Sequence, residues 1–293
     1  MANQNIRLSN LKNHQQVVDF TVEAVYEVDN QNPLGARFRH NQSGFVLDLL
    51  RIQSVPQAFM WVNSHPVSDR GEPHTLEHLL LGKGTKGRYV ASLEEMSLGN
   101  SSAFTAQLRT CYHFHTPAGS SVFFNLFQMK LDAMLHPNFS DEEIRREVRN
   151  MGITNDPVDG SLSLEEKGTV YNEMVSSFER PWGNLYFELG KMIYGQNHPS
   201  AFSAGGFPPA IREMNPEHIR NFHNSTHHLN NMGAIIALPS DMSLNTCLVR
   251  LSDILKIVEP EAKYSKVHPD DVNNLLAFPI EKNTGTLSQV SFP

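Results

Sequence analysis

Two histidines and a glutamate stand close together in the segment Gly71-Glu72-Pro73-His74-Thr75-Leu76-Glu77-His78. On an α-helix residues i and i+4 share a face, so His74 and His78 can reach one Zn²⁺ at about 2.0 to 2.1 Å. Glu77 projects beside that face and can take a proton from a water that the ion activates. The same pentapeptide also reads as a polar helix with two surface histidines, and the spacing by itself leaves both readings open. A catalytic zinc site needs a third protein ligand and a fourth position left for water. The stretch from Glu165 to Met174 offers Glu166 and Glu173, two turns apart and so expected on nearly one helix face. Glu166 is equally explained by a capping box, Ser163-Leu164-Glu165-Glu166, and Glu173 by a solvated helix face.

Other candidates carry less. Gly82-Lys83-Gly84-Thr85-Lys86-Gly87 is expected to end the first helix as a glycine loop, and it lacks the Lys-Ser/Thr that a phosphate-binding loop requires. His113-Phe114-His115 places two imidazoles on one side of a strand, where a hydrogen-bonded structural role is the default. His227-His228 follows a helix end, where dipole-supported surface histidines are expected. There is no Gly-x-Ser-x-Gly elbow and no catalytic cysteine signature, so nucleophilic hydrolase chemistry falls away.

The elements that must hold these residues are legible from periodicity and punctuation. Residues 17 to 62 read as strands, because short β-rich runs are broken by Asn-Pro, Ser-Gly and Pro signals. Pro73 to Leu81 and Ser120 to Leu135 have helical spacing. Ser140-Asp141-Glu142-Glu143 is a capping box that opens a charged helix to about Asn150, and Ser163 to Glu166 predicts another through about Val175. Asn215-Pro216 starts a further helix, Met232 to Leu238 is a strand, and Leu244 to Leu255 is amphipathic.

Composition sets the outer limits. The 293 residues carry 24 Lys+Arg against 31 Asp+Glu, a net charge of -7, so no basic field attracts nucleic acid or anionic lipid. No apolar run approaches the roughly 18 to 20 residues that cross a bilayer, and a soluble protein is expected. Cys111 and Cys247 cannot make a disulfide framework. The first ten residues show neither a basic nor an apolar leader region, so the compartment stays unknown: the protein stays where it is made, or a leader has been removed. Fourteen histidines are about twice the usual share, which favours a search for metal or acid-base sites.

Several linked segments give a resemblance. The run Gly71 to His78, then Ser102-Ala103-Phe104-Thr105 with Arg109-Thr110-Cys111-Tyr112, then Leu131 to Pro137, Lys167 to Met174, and Ser203-Ala204-Gly205-Gly206 appear in order. Together they resemble the pitrilysin/insulinase family of inverted-motif (HxxEH) zinc metallopeptidases, with the greatest likeness to the presequence proteases. The resemblance implies an α+β fold, a largely antiparallel sheet packed with helices. It implies one Zn²⁺ on His74, His78 and Glu173, with Glu77 as general base; Glu166 stays, from its spacing alone, a candidate for a place beside the ligands against a plain capping role. Ser102, Ala103, Phe104 and Thr105 would form the edge strand on which an extended substrate lies, held by main-chain bonds. The family's Asn stands here as Ser102, which weakens a side-chain clamp at that point.

Length is the larger departure. The family joins two halves, each of two related domains, around a chamber, and the substrate-contacting Arg and Tyr of the distal half have no counterpart here. Residues 1–262 are expected to be the catalytic domain, and 263–293 a linker or the start of a second domain. A missing C-terminal half or a second chain is the implied partner, and unfolded or short peptides the implied substrate. A zinc metalloendopeptidase is therefore expected, and a non-catalytic scaffold or peptide-binding subunit is the alternative.

Overall fold

The computed structural model describes residues 6–28, 32–239 and 241–262, so the expectation for 263–293 lies outside the described residues. The main sheet is built from β1 (Gln16–Val17), β2 (Phe20–Val28), β3 (Asn32–His40), β4 (Val46–Arg51), β5 (Gln57–Asn63), β6 (Asn100–Ala106), β7 (Arg109–His115) and β10 (Met232–Leu238). Their spatial order is β1-β2-β3-β4-β10-β5-β7-β6. All neighbours are antiparallel except β10 and β4, which run parallel. The expected α+β architecture with a largely antiparallel sheet is what the chain forms.

Alternation of apolar residues puts Ala36, Leu49, Ile236, Ala58 and Phe114 on one face. Two helices, α3 (Ser120–Leu135) and α9 (Leu244–Val258), cover that face with Phe123, Phe127, Leu131, Cys247, Leu248 and Leu251. A second core gathers α1 (Glu72–Gly82), α4 (Asp141–Val148), α5 (Thr169–Phe178), α7 (Pro208–Ile211) and α8 (Pro216–Thr226) around Leu76 and Leu79 of α1. The remaining helices are α2 (Gly84–Met96) and α6 (Pro181–Tyr194). Among the described residues no helix is long and apolar enough to cross a membrane.

Three local expectations need correction. The glycine segment at 82–87 is not a loop: α1 stops at Gly82, Lys83 is extended, and α2 starts at Gly84 with φ +70. The new helix is capped from a distance, since the Glu143 carboxylate accepts the Gly84 N–H at 3.0 Å and the Asn138 amide oxygen that of Lys86 at 3.0 Å. Secondly, Ser163 to Glu166 does not open a helix. Leu162–Glu166 is strand β9, paired antiparallel with β8 (Met151–Asn155), and α5 begins only at Thr169. A Cβ on Gly168 would meet the Glu147 carbonyl at 2.9 Å, so glycine lets the start of α5 sit against the end of α4. Thirdly, His227 is buried, its ring stacked on His223 at 4.8 Å and its Nδ1 bonded to the Thr226 hydroxyl at 2.9 Å.

His40, His223 and His227 are all buried, and burial pushes each imidazole pKa down, His40 to about 4. They are neutral in the fold, whereas the unfolded chain takes up these protons near pH 6.5. Their contribution is therefore complete above about pH 6.5 and is lost as pH falls towards 4. His40 alone should remove about 2 kcal/mol at pH 5. The melting midpoint should drop between pH 7.5 and 5, and less steeply in His40→Gln. A midpoint unchanged across that interval would contradict the assignment.

Candidate metal centre

The site is built where α1 enters the second core. Gly71 opens the helix with φ +76, and a Cβ there would stand 2.5 Å from the Gly205 carbonyl and 2.6 Å from the Gly206 backbone. Only glycine permits this approach, and it brings the 203–206 turn against the first turn of α1. The turn is held from the same side, because the Asp69 carboxylate accepts the Ser203 N–H at 2.9 Å and pairs with buried Lys191 at 2.7 Å.

This packing decides which nitrogen of His74 is free. The Gly205 carbonyl can only accept, and it lies 3.2 Å from Nδ1, so Nδ1 carries the proton and Nε2 keeps its lone pair. The Nδ1 of His78 faces Glu147 Oε2 at 3.4 Å, a charge contact without hydrogen-bond geometry. The two Nε2 atoms turn towards Glu173 on α5, at 3.6 Å from Oε1 for His74 and 3.4 Å from Oε2 for His78. One ligand atom from each of the three residues lies within 4.8 Å of the others. Donors bound tetrahedrally at about 2.0 to 2.2 Å stand roughly 3.4 Å apart, so the two nitrogens and one carboxylate fit a zinc ion with little adjustment. The side chain of Glu173 is 55% exposed, which leaves the centre open on one side.

Glu77 is buried beside this group, and its Oε2 accepts the Thr105 hydroxyl at 2.6 Å. Thr105 belongs to β6, which ends the sheet and pairs only with β7 among the described strands. Ser102, Ala103, Phe104 and Thr105 therefore lie along a sheet edge, with Phe104 51% exposed. An open cleft continues past Thr105 between Met174 and Phe178 of α5 and Tyr186 of α6.

Glu166 is not brought to the cluster. The shared helix face fails because Glu166 stands on β9, where Arg212 grips its carboxylate through Nε at 2.8 Å and Nη2 at 2.6 Å. Arg212 also donates to the Tyr171 hydroxyl. The acid beside the histidines is instead Glu147 of α4, almost fully buried, with Oε1 on Lys83 at 2.8 Å. Burial pushes its pKa up, but His78 and Lys83 outweigh that and hold it at about 2. In the metal-free chain Glu147 raises the His78 pKa, burial opposes it, and Glu173 and Glu77 add to the rise. The sequence carried one sign of this residue: Ile144, Glu147 and Val148 share the apolar face of α4, an acid among core positions.

No protein-family model matches the chain. An uncharacterized protein of Saccharomyces cerevisiae is 29% identical over 232 residues, covering 78% of this chain and 21% of that protein. The mitochondrial presequence protease of Aspergillus oryzae is 28% identical over 253 residues, 82% of this chain and 24% of that protein. The chain thus spans about a fifth to a quarter of the length of these relatives. Among solved structures, that of pitrilysin superposes with a TM-score of 0.60 over 82% of this chain and 24% of its own, at 20% identity. Fold, ordered segments and relatives agree, and this chain belongs to the pitrilysin/insulinase family of peptidases.

Proposed function

We propose that residues 1–262 form the catalytic domain of a zinc metalloendopeptidase that hydrolyses unfolded or short peptides. The observation that carries this is the convergence of His74 Nε2, His78 Nε2 and a Glu173 carboxylate oxygen beside a Glu77 tied to a sheet edge. Zinc held there would act as a Lewis acid on the substrate carbonyl and make a water acidic enough to attack near neutral pH. Glu77 keeps Oε2 on the Thr105 hydroxyl, so Oε1 is the atom left to take the proton of the attacking water. As the new C–O bond forms and the C–N bond breaks, Glu77 returns that proton to the leaving amine. The free edge of β6 supplies backbone N–H and C=O groups to an extended peptide, a mode of holding that tolerates many side chains. The relatives are four to five times longer than the matched stretch, which supports a distal half or second chain that closes over this edge.

One Zn²⁺ per chain is expected, and His74→Ala should abolish it. Zinc content that is zero in the supplemented wild type, or unchanged in the variant, contradicts the ligand set.

In the complete enzyme Glu77→Gln should keep its metal and lose at least three orders of magnitude in peptide hydrolysis, about 4 kcal/mol of barrier. Near-normal turnover would remove Glu77 as the base.

The 293-residue chain by itself should bind zinc yet cleave peptides poorly, because one wall cannot position and desolvate the scissile bond. Supplying the distal half should restore cleavage. Efficient turnover by the isolated chain, abolished by Glu77→Gln, would show the second wall to be dispensable.

A further inference from the structure

Three hydroxyls stand in a row behind Glu77. Thr105 Oγ1 donates to Glu77 Oε2 at 2.6 Å, Thr110 Oγ1 lies 3.3 Å from Thr105 Oγ1, and Ser64 Oγ lies 2.8 Å from Thr110 Oγ1. They come from different elements: Ser64 follows the end of β5, Thr110 is on β7, and Thr105 is its cross-strand partner on β6. Thr110 is 1% exposed and Ser64 fully buried, so bulk water does not complete their bonding. A valine would fill the place of Thr110 without the cost of burying a hydroxyl, and that cost is offset only if the hydroxyl has partners.

The carboxylate at one end sets the direction of every bond. A carboxylate only accepts, so Thr105 spends its one proton on Glu77 and can only accept from Thr110. Thr110 in turn spends its proton on Thr105 and must accept from Ser64. All three O–H groups therefore point towards Glu77, and each donation polarises the next hydroxyl and strengthens its bond. The reverse order would need a second acceptor for Ser64 Oγ, which has no other hydrogen-bond partner among the described residues.

We infer that Thr110 and Ser64 are positioning residues for Glu77 that act through Thr105, an inference that rests on the proposed peptidase function. The chain holds Oε2 as a fixed acceptor, sets the plane of the carboxylate and leaves Oε1 for the attacking water. Its far end is anchored at β5 and β7, which are interior strands, so Glu77 is referred to the body of the sheet and not to the edge alone.

Kinetics of the complete enzyme, this chain with its distal half, test this through a mutant cycle. Thr105→Val should lower kcat about tenfold to a hundredfold, the range of a hydrogen bond to a charged group. Thr110→Val should lower kcat about threefold to tenfold and leave KM within about twofold, because residue 110 is covered by the fold. Thr110→Ser, which restores the hydroxyl, should recover most of that loss. The double variant should be no slower than Thr105→Val, since Thr110 has no other route to Glu77. Crystals of the metal-free chain give a readout apart from activity: Glu77 in one rotamer in wild type and in more than one in Thr110→Val. The inference is overturned if Thr110→Val keeps the wild-type kcat, if Thr110→Ser is as slow as Thr110→Val, or if the two losses multiply in the double variant, as independent structural effects would. Should Thr110→Val not fold, Ser64→Ala replaces it in the cycle and the crystals, and the same outcomes decide. A wild-type enzyme that does not hydrolyse peptides, or a Glu77→Gln variant that does, would overturn the proposed function instead, and the Glu77 rotamers would then decide the chain of hydroxyls by themselves.

Discussion

A neutral imidazole offers one nitrogen to a cation while its other nitrogen carries the proton, and what faces that other nitrogen organises the centre of the molecule. His74 and His78 sit one helical turn apart, so their Nδ1 atoms point to different surroundings and need different partners. The partner of His74 is a backbone carbonyl, which exists at that place because Gly71 and Gly205 allow two backbones to touch. The partner of His78 is a side chain from another helix, which must be buried, charged and itself paired. Both arrangements require α1 to be enclosed, and Leu76 and Leu79, each fully buried, anchor it in the second core.

The same enclosure places the remaining groups. Because α1 lies against α5, Glu173 needs no long reach to meet both Nε2 atoms. Because α1 also lies along β6, Glu77 meets Thr105, and the carboxylate proposed as the base is tied to the strand expected to carry substrate. A shift of β6 would therefore move Glu77 relative to the histidines, and under the proposed function this ties substrate seating to acid-base geometry through one hydroxyl. Glu173 is the most exposed of the three candidate ligands, as suits the wall of an open centre.

What could be read in the sequence divides along range. The helix bearing His74, Glu77 and His78, the packing helix Ser120–Leu135, the capping box at Ser140 and the strand Met232–Leu238 follow from local spacing and are present as expected. Glu173 was singled out from Glu166 only through resemblance, since both acids satisfied the same local pattern. The structure separates them because Leu162 and Leu164 belong to a hairpin rather than a helix turn. The start of α2 was illegible for a related reason: its caps, Glu143 and Asn138, come from more than 50 residues away. Glu147 follows a capping box as one more acid in an acidic helix. In each of these cases the deciding partner is distant in the chain, and for Glu147 the sole local sign is its place beside Ile144 and Val148 on the apolar face of α4.

The place of β10 has a consequence for how the molecule is made. It lies between β4 and β5 and is the sole bridge, among the described strands, between the N-terminal group β1 to β4 and the group β5, β7 and β6 that ends in the site edge. Its parallel partner, Val46–Arg51, is synthesised long before Met232–Leu238 leaves the ribosome. Until then the nascent chain holds two half-sheets with open inner edges, each a template for wrong pairing. Closing a loop of that length makes the join a late and slow event. The chain therefore gains its joined main sheet, and with it a fixed edge at β6, only after Met232–Leu238 has been made.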